Sequence, residues 1–113
     1  MSFFNSDIVR AEMTEIQELQ EEIYEQVMKF PYMNNADKAY HIDKLESLIE
    51  KQKIMYARLS LSDDPQAKQM KKEITESAAM MGLPKNVDMN VVFRNMTHVI
   101  HAMRKQIDIP SES

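Results

Sequence analysis

His98 and His101 stand three residues apart, a spacing that can bring two imidazoles to one side of a helix and to one metal ion. Their neighbours argue against it. Met96, Ile100 and Met103 recur at intervals of four and three, and the line they define leaves His98 almost opposite and His101 well to the side. Both read as solvated histidines. A bundle-held pair of iron or manganese ions needs Glu three residues before His on core faces, and none of His41, His98 or His101 has it. Nucleophilic chemistry lacks its framework too, since one Gly in 113 residues leaves no strained elbow around a Ser, no oxyanion loop and no phosphate-cradling loop. Asp63 and Asp64 could make an acid–base pair, but just before Pro65 they occupy the place of helix-capping carboxylates. With no Cys there is no thiol nucleophile, no disulfide and no thiolate metal site. The 11 Met are too dispersed for a thioether metal loop. The expectation is a protein that is not an enzyme and carries no cofactor or metal.

The elements that position these residues are helices. Val9, Met13, Ile16, Gln20, Ile23, Val27 and Phe30 follow at steps of four and three, with a cap at Asn5 or Ser6 and a stop at Pro31, so a first helix is expected over 7–30. Asn34, Asn35 and Asp37 carry turn and cap chemistry. The stripe resumes as Ile42, Leu45, Ile49, Gln52, Tyr56 and Leu59, widened by Leu48 and Met55, in a second helix over 37–60. So short a connection makes the two an antiparallel hairpin, with Gln20 and Gln52 as polar members of its seam, about one helical turn apart, an offset that allows a direct hydrogen bond without requiring one. Ser62 to Pro65 starts a third helix over 65–81, whose narrower face is Ala67, Met70, Ile74, Ala78 and Met81, and Gly82, Leu83 and Pro84 end it. Asp88 caps a fourth over 89–107, with Val87 and Val92 placed as a hydrophobic staple and residues 108–113 frayed. The fold class is all-α, a single domain over 1–113: a long antiparallel helical hairpin with two shorter helices packed on it, four-helix bundle-like. Because the arms outreach the short helices, part of the seam is expected to lack cover, which favours a homodimer or a bound partner.

Charge is uneven. Residues 1–37 hold eight acids against two bases, and the remainder 10 acids against 12 bases, within a chain of net charge -4. The acids of helix one, Glu15, Glu18, Glu22 and Glu25 among them, could meet a basic partner or simply face Lys44, Lys51, Lys53 and Arg58 of their own hairpin. The small basic groups around Lys68, Lys71 and Lys72 and at Arg104 and Lys105 lack interleaved aromatics, and the expectation is no nucleic acid. No segment approaches the roughly 20 apolar residues of a membrane span, and the first residues lack the basic-then-apolar order of a signal peptide. No membrane association and a cytoplasmic location are therefore expected.

The chain resembles a family of small helical proteins of cyanobacteria and their phages, the domain-of-unknown-function family eighteen-twenty-five. The resemblance is carried by Phe3-Phe4 with Ser6, Ile8 and Val9, by Leu61-Ser62-Asp63-Asp64, by Gly82, and by Phe93 with Met96 and Met103. It covers nearly the whole chain and departs between the long helices and around Lys85 to Asp88. It implies a cytoplasmic setting and brings no catalytic residues. What folding leaves unexplained is Phe3 and Phe4, the Met80-Met81 pair and the acidic face of Glu15, Glu18, Glu22 and Glu25. Those are the candidate interaction residues of a non-enzymatic protein-binding module, a small regulator or adaptor of a host or phage assembly, with a homo-oligomeric structural protein as the alternative.

Overall fold

A computed structural model describes residues 3–80, 82 and 88–108. Among these described residues are four α-helices, α1 (Asp7–Val27), α2 (Asn35–Leu61), α3 (Pro65–Met80) and α4 (Met89–Asp108), with short 3₁₀ turns at Phe3–Asn5 and Phe30–Tyr32. No strand occurs among the described residues. The fold is all-α.

The helix ends follow local chemistry. The Ser6 side chain accepts the Val9 N–H, and Asn34 accepts that of Asp37 at 2.8 Å. Asp64 and Asp88 each accept the N–H two residues on, from Gln66 and Asn90. Helix one is shorter than its apolar stripe predicts, stopping at Val27 rather than Phe30. Pro31 has no N–H to offer the Val27 carbonyl, and its ring would clash with that group, so Pro31 acts four residues upstream. The chain there tightens into the Phe30–Tyr32 turn, and Phe30 swings back onto the His41 ring at 5.2 Å. Helix two begins at Asn35, two residues before the expected start, because Asn34 is the cap. Gly82 ends the segment after α3 with a φ of 100°, which an L side chain rarely adopts. Met81, the side chain of Ala78, Leu83, Pro84, Val87 and the tail 109–113 lie outside the described residues.

Ion pairs reveal the helix directions. Glu12 meets Arg58, Glu15 meets Lys51 and Glu22 meets Lys44, so residue numbers rise on α1 as they fall on α2. Asp43 with Arg104 and Tyr56 with Phe93 show the same relation between α2 and α4. α2 is thus the spine: α1 and α4 run antiparallel to it along its two flanks, and α3 packs near its C-terminal end.

Apolar burial is split. Ile42, Ile49, Met89, Phe93 and Ile100 form one cluster between α2 and α4, while Val9, Met55, Leu59 and Ala67 form another where α1, α2 and α3 meet. Ile74 touches both. Most domains have one contiguous core, and the division here leaves an extended molecule. Its radius of gyration is 16.4 Å, against about 13 Å for a compact chain of this length.

Candidate interaction groove

The gap between the two clusters is an apolar groove of about 960 Å³, open to solvent. Its floor is the face of α2 that carries Gln52, Met55, Tyr56 and Leu59. α1 supplies one wall through Met13, Ile16 and Gln20, α4 the other through Met89, Val92 and Met96, and Met70 and Ile74 of α3 close one end. Helical periodicity explains the arrangement: positions three and four apart stack on one side, so each helix offers the groove a stripe next to the stripe it buries against α2. Five methionines line it, Met13, Met55, Met70, Met89 and Met96. Unbranched and polarizable, Met adapts to varied apolar surfaces, and this is a composition that suits a contact surface.

Gln20 and Gln52 both face the groove, and no hydrogen bond joins them among the described residues. Thr14 and Gln17 add a hydroxyl and an amide to its polar rim. Among the described residues the one carboxylate in the lining is Glu73, which accepts a hydrogen bond from Gln69 at 3.3 Å. The groove therefore brings apolar surface and amides together, with Glu73 and the Tyr56 hydroxyl as titratable groups in its lining.

The residues singled out from the sequence lie elsewhere. Phe3 and Phe4 stack edge to face, 5.1 Å apart, and pack half-buried on the Val9, Met55, Leu59 and Ala67 cluster. The Phe3 N–H donates to Asp64, tying the chain start to the head of α3. Met80 is 89 % exposed at the end of α3 and borders no part of the groove. Glu15 is held by Lys51 at 2.6 Å and Glu22 by Lys44 at 3.2 Å, whereas Glu18 and Glu25 are exposed without an ion pair among the described residues. His98 is exposed, and His101 stands 4.0 Å from Glu46. No group of three metal-binding side chains occurs among the described residues, and no described helix is long and apolar enough to cross a membrane.

The apolar spacing puts Met70 and Met96 on core stripes. Met96 is nevertheless 37 % exposed, and both border the groove together with the buried Met89. The available signal was the width of the α2 stripe: apolar residues over so much of its circumference mean neighbours on more than one flank. His41 was also passed over. It is buried against Phe30, its Nδ1 has no hydrogen-bond partner, and burial, then nearby Lys44, lowers its pKa from the ordinary histidine value. Its place one turn before Leu45 on the seam stripe was the clue.

A family model described as domain of unknown function (DUF1825) matches residues 1–107. No curated protein and no solved structure matches the chain.

Proposed function

The chain belongs to the DUF1825 family, a domain of unknown function, and from that premise we propose that it is a non-enzymatic protein-binding module whose contact surface is the groove between α1, α2 and α4. The observation that carries this reading is the groove itself, a Met-rich apolar trough left open between two separate core clusters. Helix-in-groove recognition needs such a trough, because the apolar side chains of an incoming helix are anchored at spacings of three and four. The protein acts by occupancy, as a small regulator or adaptor in a cyanobacterial or cyanophage cytoplasm. A homo-oligomeric assembly role uses the same surface and differs in its occupant.

The test is affinity capture from native lysate with the unaltered chain and with Met96→Glu, followed by methyl NMR of the Met side chains in the purified complex. A retained protein that is lost with Met96→Glu and shifts the Met13, Met55 and Met96 methyls supports the reading. Equal retention by both baits, with the shifts at other methionines, would overturn it. Nucleic-acid retention at low salt would point to another class of partner altogether.

A further inference from the structure

Resting on the groove as the contact surface, we propose that its occupant is a helix of another protein, apolar on one face and basic along the flank that lies against α1. Charge is the first argument. Among the described residues the lining holds no Lys or Arg, and its one charged side chain is the exposed Glu73. Glu73 stands at a junction, because with Met13 and Met70 it also borders a shallower hollow of about 560 Å³ that continues past Phe4 and Pro65. A carboxylate beside an otherwise apolar path favours a cation at that point of whatever lies in it.

The α1 rim adds a row of the same sign. Thr14, Glu18, Glu21 and Glu25 follow at steps of four, three and four, which stacks them along one side of the helix. Thr14 lines the groove, so the row is its outer edge, and Gln17 of the lining donates to Glu21 at 3.4 Å. Arg58, Lys51 and Lys44 of α2 take up Glu12, Glu15 and Glu22, whereas Glu18, Glu21 and Glu25 are exposed with no ion pair among the described residues. Two bases stand near the path and are already engaged: Arg10 donates to the Phe4 carbonyl, and Lys71 lies over the Tyr56 ring at 5.7 Å. The opposite wall, Val92 and Met96 of α4, is uncharged. Acids on one side only fix which flank of the partner is basic.

Length and backbone chemistry select a helix. Tyr24 and Val27 continue the α1 wall and Val99 the α4 wall at helical spacing, and they are 74 %, 47 % and 59 % exposed. From Met13 to Val27 that wall is about 21 Å long, the rise of a helix of about 14 residues. The groove is built from helices, whose own bonds use their backbone groups, so an extended peptide lying in it would bury N–H and C=O groups without partners. A helix brings its backbone already paired and meets the floor with side chains alone.

Two synthetic peptides of about 14 residues test this, identical in a stripe of Leu at steps of three and four and differing in the flank, Lys in one and Glu in the other. Titrated into the methyl-labelled chain, the Lys peptide should shift the Met13, Met55 and Met96 methyls and bind about tenfold tighter than the Glu peptide, the worth of a few exposed ion pairs. The gap should shrink between about 50 mM and about 500 mM NaCl as salt screens it. Glu21→Lys should remove most of the preference, and Glu50→Lys, an equal change of charge at an exposed α2 position outside the groove, should leave it. Equal loss with Glu50→Lys would reduce the effect to net charge and overturn the proposal. Equal binding of both peptides at the groove methyls would overturn the basic flank and leave the groove as a site for a helix of other charge. Shifts confined to methionines outside the groove, such as Met80, would overturn the groove reading as well. Groove shifts that grow with chain concentration alone would assign the trough to a second copy and overturn the proposal.

Discussion

Truncating Leu59 tests the division between core and groove at its sharpest point. Leu59 is 1 % exposed and packs with Val9, Met55 and Ala67 where three helices meet, while Met96 across the groove is 37 % exposed. A buried Leu→Ala change costs about 2.7–5.0 kcal/mol, depending on how far the surroundings collapse into the space. Here Met55 and Met70 are flexible neighbours bordering an open groove, so relaxation is easier than in a sealed core, and Leu59→Ala should cost about 3 kcal/mol. Against a total stability of about 5–15 kcal/mol, that is roughly a fifth to three fifths. Met96→Ala removes a side chain already facing solvent on one side and should cost the isolated chain about 1 kcal/mol or less. Urea unfolding followed by circular dichroism would give both values, at two protein concentrations so that association separates from folding. If the two costs agree within about 1 kcal/mol, Leu59 is not the buried anchor and the groove boundary is misplaced.

Acidification should destabilise the protein through His41: its folded pKa is depressed, so the unfolded chain takes up the proton first, and stability falls as pH drops below about 6.5 towards the folded value. Urea midpoints between pH 7.5 and 5 should show that fall, and His41→Phe should reduce it. Asn34→Ala removes the acceptor of the Asp37 N–H and should cost about 1 kcal/mol in the same assay, with Asn34→Ser recovering most of it. Gly82→Ala should cost about 1 kcal/mol or more through the backbone alone, because an added Cβ meets nothing within 4 Å while the φ of 100° is strained for alanine; Gly82→Asn should cost less.

The all-α class, the antiparallel hairpin, the capping segments around residues 5–6, 34–37 and 62–64 and the cap at Asp88 were legible in the chain, because caps and periodicity act within one or two helical turns, whereas the choice of Asn34 as the cap of α2 was not. The end of α1 was misjudged for a reason that is also local: the steric reach of Pro31 extends to the Val27 carbonyl, not only to its immediate neighbour. The acidic face of helix one divided as the charge pattern allowed, with Glu15 and Glu22 taken up by α2 and Glu18 and Glu25 left outward. His41 and the groove methionines were harder. A stripe says which residues seek cover and not which helix supplies it.

The sequence by itself determined the helical class, the capping segments from which the helices start, and that each helix needs an apolar partner. Tertiary structure alone decided that α2 would serve as partner to the other three, with α1 and α4 on separate flanks. That choice turned Met13, Met55 and Met96 into neighbours and left a trough between them. The physical reason is that apolar periodicity is a property of one helix, whereas a groove is the space left over when several helices of unequal length share one spine.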